Sequence, residues 1–83
     1  MPSDRELFEK IAEILKPKAK KELEITEDTD LVDDLFLDSL EVMEILLEIE
    51  DTYDISVPVN ILPDIRTVRD VVLQIKKLLT EDA

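Results

Sequence analysis

Three times in this chain an oxygen-bearing side chain is followed, three positions on, by an acid and then by apolar residues at helical spacing. The pairs are Ser3 with Glu6, Asp38 with Glu41, and Thr67 with Asp70. Such a pair can satisfy the first amides of a helix from both directions, so each reads as a helix start. After the first, Leu7, Phe8, Ile11, Ala12, Ile14 and Leu15 recur at helical spacing. Pro17 disfavours helical geometry in the residue before it and predicts an end near Lys16. After the second, Val42, Ile45, Leu46 and Ile49 share one face, while Leu40, Met43 and Leu47 fall on a flank beside Glu41, Glu44, Glu48 and Asp51. That apolar arc is wider than one core-facing stripe, so part of the flank is expected in solvent. After the third, Val68, Val71, Val72, Ile75, Leu78 and Leu79 line one face, and Lys76 and Lys77 suit the negative end of the helix dipole. A short turn is expected over residues 60–64, limited by Pro63. The pattern predicts an all-α chain: a small four-helix bundle, one domain over residues 1–83, with helices near 4–16, 39–52, 60–64 and 68–79.

The connections are less regular. Residues Lys16 to Lys21 read as a basic, solvated link. From Glu22 to Leu37 no period persists, and Ile25, Leu31, Val32, Leu35 and Leu37 read as pins holding a long loop to the core. Loops of that length are uncommon in compact domains and tend to carry function. Tyr53 to Pro58 alternates like a strand but has no second strand to pair with, which predicts an extended link.

Composition removes several functions. With no cysteine or histidine there is no disulfide and no ordinary zinc site, and with no glycine there is no glycine-rich phosphate loop. No apolar run approaches the roughly 18 residues a membrane span requires. The opening residues lack the basic and apolar parts of a signal peptide, so a cytoplasmic monomer without membrane insertion is expected. The net charge of −12 is unevenly placed: residues 26–54 hold twelve acids and no Lys or Arg, and the remainder holds ten acids and ten bases. Such a surface excludes nucleic acid, whose phosphates require a basic face. It also predicts self-repulsion in the middle third of the chain.

Ser39 stands at the centre of that acidic segment, between Asp38 and Leu40. A catalytic serine needs a base within hydrogen-bond reach, and its sequence neighbours are carboxylates. An enzyme is therefore not expected, and no residue is assigned a catalytic role. Calcium is the next candidate, but an EF-hand loop begun at Asp30 sets Val32 and Leu35 where an oxygen ligand and a glycine are required. No metal site is assigned. Two readings of Ser39 stay open on position alone: a polar first-turn residue, or a point of attachment for a phosphate ester favoured by the helix N-terminus.

Asp38-Ser39-Leu40 and the following Glu41-Val42-Met43-Glu44-Ile45-Leu46-Leu47-Glu48-Ile49-Glu50 resemble the attachment site and second helix of acyl carrier proteins. Upstream, Ile25-Thr26 and Asp30-Leu31-Val32-Asp33-Asp34-Leu35 resemble the family's first loop. Downstream, Tyr53-Asp54-Ile55-Ser56-Val57-Pro58 and Ile65-Arg66-Thr67-Val68 fall at the family's spacings. The resemblance implies that Ser39, flanked by Asp38 and Leu40, receives 4′-phosphopantetheine from coenzyme A through a phosphopantetheinyl transferase. The thiol of that arm then carries acyl groups as thioesters to enzymes of fatty-acid, lipid or polyketide-type biosynthesis. It further implies that Glu41, Glu44, Glu48 and Asp51, with Leu40, Met43 and Leu47 as small apolar contacts, face acyl-loading and acyl-transferring partners bearing basic patches. The run Leu46-Leu47-Glu48-Ile49-Glu50 also resembles D-alanyl carrier proteins, leaving an aminoacyl or peptidyl cargo as an alternative. An unmodified acidic adaptor is the alternative of another class.

Two positions depart from the family pattern. Phe36 stands where the family usually has glycine, and phenylalanine does not readily take positive φ, so a different turn before Ser39 is expected. Val59-Asn60-Ile61-Leu62-Pro63 replaces a run of acids, making Val59, Ile61 and Leu62 candidates to line a pocket. Both departures suggest a specialised carrier.

Overall fold

The structure is a computed structural model that describes residues 2–19 and 24–81, the side chains of residues 59 and 81 excepted. Three α-helices make the fold: α1 (Asp4–Leu15), α2 (Ser39–Tyr53) and α3 (Val68–Glu81). The element expected over 60–64 is a 3-10 helix, Val59–Asp64, with Pro63 inside it. The tighter 3-10 winding suits so short a piece.

Each α-helix begins where its cap signal stands. Ser3 Oγ accepts the Glu6 amide at 3.2 Å. Asp38 and Glu41 form a full reciprocal box, Asp38 Oδ1 accepting the Glu41 amide at 2.8 Å and Glu41 Oε1 the Asp38 amide at 3.3 Å. Thr67 Oγ1 accepts the Asp70 amide at 3.3 Å, while Asp70 Oδ2 accepts the amides of Arg66 and Thr67 at 2.9 and 3.1 Å. The end of α1 tightens into a 3-10 turn, Lys16–Lys18, so the segment read as a solvated link is partly ordered. Pro17 sits in the first turn of that element, where its missing N–H costs no hydrogen bond. Lys20 and Lys21 lie outside the described residues.

One core holds these elements. Leu7, Ile11 and Leu15 of α1, Val42, Ile45, Leu46 and Ile49 of α2, and Val68, Val71, Val72 and Ile75 of α3 are buried together. Burying each such side chain contributes about 1.5–3 kcal/mol relative to exposure. Leu31, Leu35, Leu37 and Val57 enter the same core from the connections, and Ile25 packs against it. Val32 is the exception among the expected pins and points outward.

The long loop is tied to the start of α3 by backbone and by charge. Leu31 N–H donates to Arg66 O at 2.9 Å and Val68 N–H to Thr29 O at 3.0 Å, an isolated antiparallel bridge. Asp30 organises the turn: its Oδ1 accepts the amides of Val32 and Asp33 at 2.9 and 2.8 Å, and its Oδ2 accepts Arg66 Nε at 2.9 Å. The Asp33 amide above all holds the Asp30 carboxyl below its ordinary range; burial opposes it, and the Arg66 guanidinium and the Val32 amide add to the lowering. Arg69 reaches Asp28 and Glu27 at 2.6 and 3.3 Å. The acidic middle third thus receives cations from α3 and the residue preceding its cap, which offsets the repulsion its composition predicts. After α2, Glu50 Oε2 accepts the Val57 amide at 2.8 Å and holds the extended link against the helix.

Candidate functional site

The loop reaches Ser39 through a backbone turn that departs from expectation. Phe36 takes φ 58°, in the left-handed region that its bulk disfavours. The conformation costs a residue with a Cβ roughly 1–2 kcal/mol. Its neighbours supply the compensation: Leu35 and Leu37, at 0% and 1% exposure, both fill the core, and the chain must turn sharply between them. Two nested hydrogen bonds close that turn, Phe36 N–H to Val32 O at 3.0 Å and Leu37 N–H to Leu31 O at 3.1 Å. Core burial of two leucines outweighs the local preference of one phenylalanine. The only other non-glycine residue with positive φ among those described is Asp54, at the C-terminal cap of α2, where an aspartate is better tolerated.

Beyond the turn, Asp38 caps α2 and Ser39 is its first residue, with an exposed side chain. The amides of this first turn have no intrahelical carbonyl to pair with, and the helix dipole adds partial positive charge there. Asp38 and Glu41 engage each other's amides, so both carboxylates nearest Ser39 are occupied in structural hydrogen bonds. Beside Ser39 opens a groove of about 280 Å³ lined by Val32, Val42, Leu62, Pro63 and Ile65. Of the pocket candidates, Leu62 is therefore in the lining, Ile61 packs on the core, and the Val59 side chain is outside the described residues. A larger hollow of about 410 Å³, between α1 and Glu24-Ile25, shares no residue with this groove and has no hydroxyl side chain in its lining.

A serine hydroxyl free of core packing, a helix N-terminus and an adjoining apolar groove fit a phosphodiester with an attached organic arm. A model of the phosphopantetheine attachment site family matches residues 5–75. An acyl carrier protein of Rhodococcus erythropolis is 47% identical over 60 residues, 72% of this chain and 66% of its own length. The meromycolate extension acyl carrier protein of Mycolicibacterium aurum is 40% identical over 81 residues, 96% of this chain and 84% of its own. The chain belongs to the acyl carrier protein family. A solved structure of a candidate acyl carrier protein from Mycobacterium tuberculosis agrees in fold, with TM-score 0.75 at 31% identity, covering 84% of this chain and 95% of that one. As an acyl carrier protein, the chain is a carrier of a 4′-phosphopantetheine group rather than a catalyst.

Elsewhere on this carrier, the residues expected to meet partners lie along the outer side of α2. Leu40 and Leu47 are 64% and 58% exposed, Glu44, Glu48 and Asp51 are exposed, and Met43 and Glu41 are half-buried. The local sequence gave no sign that Lys18 lies against this side. Its Nζ is 3.3 Å from Glu48 and 3.8 Å from Glu44, and its side chain is only 25% exposed. Lys18 is distant in sequence from both, and only the packing of α1 against α2 brings it there. No helix among the described residues is long and apolar enough to cross a membrane.

Proposed function

We propose that Ser39 is the residue that receives 4′-phosphopantetheine and that this chain carries acyl intermediates between lipid-building enzymes of the cytoplasm. The observation that carries the reading is an exposed serine as the first residue of a capped helix, opening onto an apolar groove. When attached, the group supplies a thiol on which acyl chains ride as thioesters. The chain's own residues do the positioning. Asp38 and Glu41 fix the first turn of α2, which presents its amides toward the phosphate. Val32, Val42, Leu62, Pro63 and Ile65 offer apolar surface to whatever lies beside Ser39. Relatives include meromycolate extension acyl carrier proteins, which supports an acyl cargo. Intact mass of the protein purified from its own host tests the cargo: an acyl increment on the arm is expected, and an aminoacyl increment would overturn this part of the reading.

The docking face is the exposed side of α2. Glu44, Glu48 and Asp51 steer enzymes with Arg and Lys patches, and such steering raises encounter rates without requiring tight binding. Lys18 competes for two of those acids. Lys18→Gln is expected to cost at most about 1 kcal/mol of stability, as a partly solvent-screened pair. The same change is expected to speed association with a basic partner by roughly two- to five-fold at low ionic strength. The gain should shrink as salt screens the field. Stopped-flow association with a phosphopantetheinyl transferase across a salt series measures it, and an unchanged or slower rate at low salt would rule the competition out.

A further inference from the structure

Phe36 is 52% exposed, an unusual state for one of the few aromatic side chains in the chain, and it is held there at positive φ. Its backbone amide bonds to Val32, which is itself 56% exposed and lines the groove beside Ser39. Leu40, 64% exposed, follows Ser39 on the other side. Val32 thus shares the groove with Ser39, Phe36 is tied to Val32 by its amide, and Leu40 adjoins Ser39 in sequence, all within the segment that holds twelve acids and no base. Retention of a bulky residue in the left-handed region points from strain toward use, since glycine would make the same turn without the penalty.

We infer that Phe36, with Val32, extends the apolar contact expected of Leu40, forming a seat for the phosphopantetheinyl transferase in a pocket of that enzyme ringed by basic side chains. The inference rests on Ser39 being the attachment residue. Any enzyme that delivers a group to the Ser39 hydroxyl must cover the surface bordering it, so these three side chains lose water as the complex forms. The surrounding acids select the charge of the partner's rim, and the phenyl ring supplies apolar area at its centre. Phe36 acts through binding and position; it takes no part in the bond changes. In those, the Ser39 oxygen forms a bond to the β-phosphorus of coenzyme A, adenosine 3′,5′-bisphosphate leaves, and the hydroxyl proton passes to the transferase or solvent.

The test compares apo wild type with Phe36→Gly, Phe36→Asn and Phe36→Leu, using coenzyme A and a broad-specificity transferase, with adduct followed by intact mass. Phe36→Gly and Phe36→Asn both accept positive φ, so their melting temperatures should match or exceed that of the wild type. Their kcat/KM should nonetheless fall about five- to ten-fold, mainly through KM, for the loss of half a phenyl ring's burial. Phe36→Leu, which keeps apolar area, should stay closer to wild type than either. Equal kcat/KM for Phe36→Gly and wild type overturns the inference, as does a loss matched by a fall in melting temperature. Self-association of the wild type that Phe36→Gly abolishes, with transfer unchanged, overturns it in favour of a second copy of this chain as the occupant. A wild type that takes no adduct removes the attachment reading and this inference with it, whereas adduct on wild type with equal kinetics for Phe36→Gly removes the inference alone.

Discussion

Ser39→Ala is expected to take up no phosphopantetheine, where the wild type gains one adduct from coenzyme A and a broad-specificity transferase. The effect should be complete, because no cysteine is present and no other serine shares this setting: Ser3 caps α1, and Ser56 lies in the extended link after α2. Folding should be nearly untouched. The cap of α2 is built by Asp38 and Glu41, and the Ser39 side chain is exposed, so the alanine variant should melt within a few degrees of wild type. Intact mass and a thermal melt on the same samples separate the two quantities. An adduct of equal yield on the alanine variant would eliminate Ser39 as the site. Binding to a basic partner that persists unmodified would favour the acidic adaptor instead.

Asp30→Ala should produce the largest loss of stability among the surface-loop substitutions. Its carboxylate accepts two amides and the Arg66 guanidinium, and all three contacts hold the turn that leads to Ser39. Removing it leaves the amides of Val32 and Asp33 without that acceptor and costs about 2–3 kcal/mol. In a domain of this size that corresponds to a fall of roughly 10–20 °C in melting temperature. Arg66→Ala should cost less than Asp30→Ala, because the Arg66 side chain is largely in solvent.

The pH dependence has a definite sign. The folded Asp30 carboxyl titrates below its ordinary value of 3.8, so its contribution is fully present above that value. It is lost as pH falls through the lowered value, and the wild type and Asp30→Ala curves should converge in strong acid. Melting temperatures taken from neutral pH downward check both parts. A variant within about 3 °C of wild type at neutral pH would show that the bridge between Thr29-Leu31 and Arg66-Val68 holds the loop by itself.

Much of the architecture was legible because its signals are local. A cap needs only a side chain and an amide three residues apart, so Ser3, Asp38 and Thr67 announce α1, α2 and α3 before any packing is known. The period of the apolar residues likewise separates Val42, Ile45, Leu46 and Ile49, which are buried, from Leu40 and Leu47, which are not. Position and motif around Ser39 rest on the same short range. Tertiary structure alone decided the rest, since it depends on residues that meet only after folding. Lys18 reaches α2, and Arg66 and Arg69 reach the acidic loop, across sequence gaps that no local pattern spans. The groove beside Ser39 needs Val32, Val42 and Leu62 brought together from three segments. Phe36 shows the limit most directly: its own preference argues against a left-handed turn, yet burial of Leu35 and Leu37 on either side imposes one, because core burial exceeds the strain of a single dihedral.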